Sequence, residues 1–344
     1  MPPFRPAGHL RLVSPDLSHA GVEGRAQCSA QHGEILRGAF WAYGTPSRAL
    51  VTLPYPGASA TAVARLVPDD ATVVVHPKEK ARAAVAAHLT LRELRLSGGC
   101  RVELSGDIPT GWGLGSSTAD VVATVRAVAA AAGRVLPPET VARLVATAGR
   151  ASGSIMFEGA VTLFADREGR VLEVLAPALP PLLVVGCNAG GGAGADTAQA
   201  PAQAPAQAPA QYLSGEVEQL GYLLAMLRRA LSTQNAMLLG RVATRSAAIN
   251  QRFRPLAPFA ELCRIAESTG AAGVQVAHSG TVAGLVYDAA DPRVRRRADR
   301  GRVELAGLGL GPTWVFAPPA AVLPDSAATH VPDTDAGLGR AAGQ

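Results

Sequence analysis

A mixed α and β fold, α+β or α/β, follows from three features of the chain. Residues 100–105 alternate like a half-buried strand, and the alanine- and valine-rich residues 121–132 after them read as a helix. Residues 182–186 form a short apolar run of the kind a sheet buries on both faces. Residues 212–231 place Leu213, Val217, Leu220, Leu224 and Leu227 at helical spacing. At 344 residues, 48% of them hydrophobic, the chain is long enough for two domains sharing a real core.

The elements follow in order. Residues 1–24 carry prolines and little periodicity and are expected to form a flexible leader. Residues 26–38 fit a short strand, a turn at His32-Gly33 and another strand. Residues 49–54, 62–66 and 71–75 read as strands. Pro77-Lys78-Glu79-Lys80 opens a helical run to Leu94, whose cations could approach a nucleotide, although a solvated helix face also explains them. Pro137 and Pro138 begin a helix to about Gly149, with proline in its first turn, and residues 161–164 form a strand. After residues 182–186 comes a glycine-rich loop through Asp196 and Thr197. Residues 198–211 repeat Ala-Gln-Ala-Pro, have little to bury and are expected to be a disordered insertion. Helices are expected over 212–231, 233–250 and 258–269, the last stopping at Gly270. Residues 273–287 read as strand, tight loop, strand. The arginines of 293–302 suit a solvated turn or helix face, 303–305 and 314–316 are candidate last strands, and 319–344 is expected to be a loose tail.

The composition narrows the function class. The net charge is +5 and the pI about 9.3. That suits anionic substrates, but no aromatic residues interleave with a basic patch, so nucleic acid is not implied. Cys28, Cys100, Cys187 and Cys263 are widely spaced without a Cys-x-x-Cys pair, which argues against a zinc site or a disulfide framework. No basic-then-apolar signal segment opens the chain and no apolar run reaches membrane-spanning length, so a cytoplasmic protein without membrane contact is expected. The oligomeric state stays open, a homodimer included.

The chemistry concentrates in residues 106–120, at the turn between strand and helix. Gly111, Gly113 and Gly115 remove side chains, so backbone N–H groups can approach a ligand closely. The helix start adds partial positive charge and unpaired donors. Ser116 and Ser117 are good N-cap types, and a hydroxyl there can also ligate Mg2+. The combination suits the phosphates of a nucleotide. It is not a Walker A loop, since no lysine follows the last glycine, and the Gly-x-Gly-x-x-Gly spacing of dinucleotide binders is absent.

Pro109, Gly113, Leu114, Gly115, Ser116, Ser117 and Ala119 resemble the phosphate loop of the GHMP kinases, named for galactokinase, homoserine, mevalonate and phosphomevalonate kinases. Two further stretches resemble one branch, the L-threonine kinases of cobalamin synthesis. In the first motif Ala26, Cys28, Gly33, Glu34 and Gly38 match, while Ser29, Ala30, His32 and Arg37 depart. The third motif matches nearly residue for residue across 275–285, including His278, Ser279, Gly280 and Thr281. Around Ser154, Met156 and Phe157 the branch carries two acids, which fall here on Arg150 and Gly153. In the family a Glu commonly helps hold Mg2+ and an Asp can accept the substrate's proton. Glu158 is a nearby carboxylate that either substitutes for them or sits on the surface.

The resemblance implies an α+β GHMP kinase fold. An ATP-binding domain over 25–180, with a left-handed crossover like the second domain of ribosomal protein S5, would precede a ferredoxin-like domain over 181–318. It implies ATP-dependent phosphorylation of a small-molecule hydroxyl, with an amino-acid alcohol such as L-threonine as acceptor. Pro109, Gly111, Gly113, Leu114, Gly115, Ser116, Ser117 and Thr118 would hold ATP. Ser116 and Ser117 would touch Mg2+ and, with Glu34, carry catalysis. His32, Gly33, Glu34, Asp196, Thr197, His278, Ser279, Gly280 and Thr281 would line the acceptor side. Another GHMP metabolite kinase, homoserine kinase among them, is one alternative. A nucleotide-binding pseudokinase, motivated by Arg150 and Gly153, is the other.

Overall fold

The computed structural model of the chain describes residues 23–42, 44–149, 153–190, 212–277 and 281–319. Nearly all of the expected leader and tail, the Ala-Gln-Ala-Pro insertion, Arg150, Asp196, Thr197, His278, Ser279 and Gly280 lie outside the described residues.

Two long strands form the spine. β1 (Glu23–Ala42) and β2 (Thr45–Val67) pair antiparallel from Glu23↔Arg65 to Ala42↔Thr45. β3 (Val73–His76), α1 (Ala81–Glu93) and β4 (Gly99–Gly106) follow, with β3 parallel to β4 and β4 antiparallel to β2. Then come α2 (Ser116–Ala131), α3 (Pro138–Gly149), β5 (Val161–Ala165), β6 (Arg170–Ala176) and β7 (Leu182–Asn188). The chain continues through α4 (Ser214–Ser232), α5 (Ala236–Asn250), α6 (Phe259–Thr269), β8 (Gly273–Val276), β9 (Val282–Asp288), α7 (Val294–Gly307) and β10 (Thr313–Phe316). The strands join in one sheet ordered β10-β7-β9-β8-β1-β2-β4-β3, with β5 off this path beside β2 and β6 beside β5.

The apolar pattern divides the interior. One core packs α1, α2 and α3 on the β3–β4 side, drawing on Cys28, Ala62, Val102, Val122, Val125 and Val145. A second gathers Leu36, Phe40, Val51, Leu220, Leu227 and Leu239 under α4 and α5. A third gathers Val185, Leu262, Val274, Leu285 and Leu305 under α6 and α7. β1 passes from the first core to the second, since Cys28 lies in one and Leu36 in the other. Between them its register shifts at Ser29/Ala30, Gln31/Glu34 and Glu34/Leu36. Bulges of this kind re-aim side chains and are frequent beside active sites.

Four expectations are corrected. The hairpin at 26–38 is one strand: His32 and Gly33 are absorbed in a bulge, with Gly33 at φ +74°. The strands at 49–54 and 62–66 are one, because Pro54 and Pro56, which cannot donate to a ladder, fall where the register shifts rather than ending it. Residues 303–305 are helical: Ala298, Gly301 and Leu305 are buried at spacings of three and four, while Val303 faces solvent at 71% exposure. The fourth lies at the start of α2, where Gly115 takes the N-cap in a left-handed conformation and Ser116 and Ser117 stand in the first turn. β6 carries no strong apolar alternation, which is why the sequence does not announce it.

Candidate active site

The loop between β4 and α2 is tied down at both ends. Where it leaves β4, the N–H of Ser59 donates to Asp107 Oδ1 (2.8 Å) and the N–H of Asp107 to the Ser59 carbonyl (3.2 Å). Gly111, Gly113 and Gly115 then take φ values of +83°, +92° and +76°. Left-handed backbone costs an L residue about 1–2 kcal/mol, so the bend depends on these glycines. Leu114 alone turns inward and is buried against Ala277 and Val282.

α2 therefore begins without a side-chain cap. Gly115 makes no side-chain cap bond, and no acid stands in the first turn. The first N–H groups of a helix lack intrahelical partners and carry partial positive charge, an arrangement that favours an anion. Ser117 is exposed and Ser116 half-buried, whereas Thr118 is buried. Cations gather beside this turn. Arg82 Nη1 lies 3.4 Å from Ser117 Oγ, and Lys80, the N-cap of α1, pairs at 2.5 Å with the buried Asp120 one turn along α2.

The loop faces the segment that carries the third motif. The carbonyl of Trp112 accepts from the N–H groups of Thr281 (3.0 Å) and Val282 (3.2 Å), and the Trp112 ring stacks on Trp314 with centroids 5.9 Å apart. The first motif joins from the other side, where the N–H of Gln31 donates to the Leu114 carbonyl (3.1 Å). Three stretches distant in sequence thus meet at one bend.

His32 does not line an open pocket. Its ring is fully buried, with centroids of Phe316, Trp314 and Tyr55 at 4.9, 5.5 and 6.0 Å. It lies over Gly186 and Gly284, which face each other on β7 and β9; a Cβ on Gly186 would come 2.5 Å from Nε2 and one on Gly284 3.0 Å from Cε1. Nδ1–H donates to Gln275 Oε1 (2.7 Å), and burial pulls the pKa down to about 4 against the opposing effect of that bond. His32 is thus a buried, neutral histidine, held where two glycines make room and bonded to Gln275 rather than standing on an open surface. Glu34 is also buried, with Oε1 4.0 Å from Arg37 Nη1. Glu158 is exposed and bound to Arg126 (2.7 Å), ten residues beyond Ser116 and so about 15 Å along α2 from its first turn. It is a surface residue.

Gln31, Thr52, Asp120 and Trp314 stand around the bend without having been singled out from the sequence; of these Asp120 carried a signal, a charge inside an Ala/Val helix. Lys80 and Arg82 belong to the helical run whose cations were expected near either a nucleotide or solvent, and Gly153 to one of the two acid positions. A cavity of about 1060 Å³ opens between α4, α5 and α6, and no residue of the glycine loop lines it.

Residues 80–158 match the family described as GHMP kinases N terminal domain. An L-threonine kinase from Salmonella typhimurium is 30% identical over 281 residues, 81% of this chain and 86% of its own. An L-threonine kinase from Citrobacter freundii is 31% identical over 265 residues, 76% of this chain and 86% of its own. Among solved structures, a homoserine kinase from Cytophaga hutchinsonii superposes with a TM-score of 0.61 at 16% identity, over 90% of this chain and 97% of that one, a likeness of fold. Relatives named as kinases over so much of the chain weigh against a pseudokinase. At that identity across most of both sequences the chain belongs to the GHMP kinase family, as a phosphotransferase.

Proposed function

We propose that this chain transfers the γ-phosphoryl group of ATP to the side-chain hydroxyl of an amino-acid alcohol, L-threonine, giving O-phospho-L-threonine and ADP. The observation that carries the ATP half is the uncapped first turn of α2 behind three left-handed glycines. The acceptor follows the relatives, both named L-threonine kinase.

In this reading the backbone from Gly113 to Ser117 cradles the phosphates, with Pro109, Gly111 and Thr118 shaping the bend. Among the described residues no group of three or more His, Cys, Asp or Glu could hold a metal. The residues do fit Mg2+ in the way it usually binds beside nucleotides, largely through phosphate oxygens and water. Ser116 or Ser117 would supply a hydroxyl ligand, and the ion would neutralise charge on the β- and γ-phosphates. Thr281, Gly33 and Glu34 would line the acceptor side, and the family resemblance assigns His278, Ser279, Gly280, Asp196 and Thr197 to it as well. The acceptor oxygen forms the new bond to phosphorus as the bond to ADP breaks. With Arg150 and Gly153 at the two acid positions, rate comes from alignment and charge stabilisation, which dominate phosphoryl transfer. Residues 25–180 act as the ATP-binding unit and 181–318 as the second unit. The role we infer is cobalamin side-chain assembly in the cytoplasm.

The test is ADP release with Mg2+ and a panel of L-threonine, L-serine, L-homoserine and L-alanine, the product identified by mass. Turnover with L-threonine and none with L-alanine is expected. Preference for L-homoserine would reassign the acceptor. Retained ATP binding with no turnover on any alcohol would remove the kinase proposal.

A further inference from the structure

Gln31 sits at the first bulges of β1 and is fully buried. Its backbone holds Leu114, as described. Its side chain passes along the backbone of Gly115, where a Cβ would stand 2.7 Å from Cγ and 3.0 Å from Cδ. The far end reaches Gly153, where a Cβ would overlap Gln31 Oε1 at 1.7 Å and approach Cδ at 2.7 Å. Thr52 Oγ1 lies 3.0 Å from the same point. It accepts from the N–H of Ser154 (2.9 Å) and bonds the Ser154 hydroxyl (3.1 Å), which fixes this segment against β2.

One carboxamide thus touches the N-cap of α2 and fills the space of any side chain at residue 153. We propose that Gln31 is the positioning residue of the phosphate-binding bend, and that Gln31 and Gly153 form a compensating pair: the long side chain at one position requires none at the other. The pairing itself is a statement about packing. Its effect on nucleotide binding rests on the kinase reading above.

Two physical consequences follow. A methyl group on residue 153 must push the carboxamide, and through it Gly115, whereas once Gln31 is shortened that severe overlap is gone and the tight contact left is the Thr52 hydroxyl at 3.0 Å. Loss of the Gln31 side chain frees the N-cap, so nucleotide affinity weakens while groups that contact the acceptor keep their places.

The experiment is a double-mutant cycle of Gln31→Ala and Gly153→Ala in the full chain. Affinity for a non-hydrolysable ATP analogue is read by calorimetry, with unfolding midpoints and steady-state KM and kcat alongside. Gln31→Ala is expected to weaken the analogue roughly tenfold and to raise KM for ATP more than it lowers kcat. Gly153→Ala alone is expected to weaken it at least as much or to prevent folding. In the double variant the cost of Gly153→Ala should shrink to what the Thr52 contact imposes, leaving affinity within about threefold of Gln31→Ala. Additive effects, a Gly153→Ala protein that binds normally with Gln31 present, or a double variant that fails to fold where Gln31→Ala folds would each overturn the pairing. Absence of turnover in the unsubstituted chain, with the coupling in unfolding midpoints intact, would instead remove the kinase reading and leave the pair standing.

Discussion

Acidification should destabilise this protein through His32, and the size of the effect can be worked from its surroundings. The ring is buried among three aromatic side chains, with a pKa of about 4. In the unfolded chain the value is about 6.5. The folded value is the depressed one, so between those two pH values the unfolded chain binds more protons and stability falls as pH falls. At pH 5 the unfolded ring is almost wholly charged and the folded ring almost wholly neutral, a loss of about 2 kcal/mol relative to pH 7, rising to about 3 kcal/mol below pH 4. His32→Asn keeps a donor toward Gln275 and removes the titration. Urea unfolding of both proteins at pH 7, 6 and 5, followed by tryptophan fluorescence, isolates the histidine, because other titrating groups cancel in the comparison. The unsubstituted protein should lose about 2 kcal/mol more than the variant between pH 7 and 5. Parallel stability curves, with a kcat profile displaced by the substitution, would refute the reasoning and return His32 to the reacting groups.

Further outcomes follow from the same structure. Ser116→Ala and Ser117→Ala remove hydroxyls facing the proposed phosphates and should each lower turnover roughly ten- to hundredfold, the worth of a hydrogen bond to a charged group, in an ADP-release assay. Gly113→Ala at φ +92° imposes about 1–2 kcal/mol of strain on the bend and should raise KM for ATP, as initial rates will show. Gly186→Ala places a methyl group 2.5 Å from His32 Nε2 and the Trp314 ring and should cost about 1–3 kcal/mol by calorimetry, with little change in KM. Glu158→Gln breaks only an exposed pair with Arg126, so turnover should hold and stability change by less than about 1 kcal/mol; a large loss of kcat would make Glu158 the missing acid.

The glycine bend at the start of α2 was legible because its chemistry is local. Glycines at 111, 113 and 115 and hydroxyls at 116 and 117 declare themselves within a few residues, and the resemblance they carry extended to the fold. The N-cap was misjudged by one residue: serine is the better cap in isolation, but Gly115 alone could take the left-handed turn under Gln31. The helical run from Pro77 was readable, yet whether Lys80 faced solvent or Asp120 was not, since the two lie 40 residues apart. The turn at His32-Gly33 was the plainest misreading of local structure. A histidine before a glycine looks like an exposed turn until β1 runs straight through it and the facing glycines at 186 and 284 admit its ring.

By itself the sequence determined the kind of chain this is, a mixed α and β kinase fold with a glycine bend at a helix start, because backbone freedom, helix polarity and apolar period act between near neighbours. Tertiary structure alone decided which polar groups the bend would meet. Gln31 with Gly153, Lys80 with Asp120 and His32 with Gln275 are bound by steric fit and desolvation across 40 to more than 240 residues, and those forces exist only once the sheet has brought the strands together.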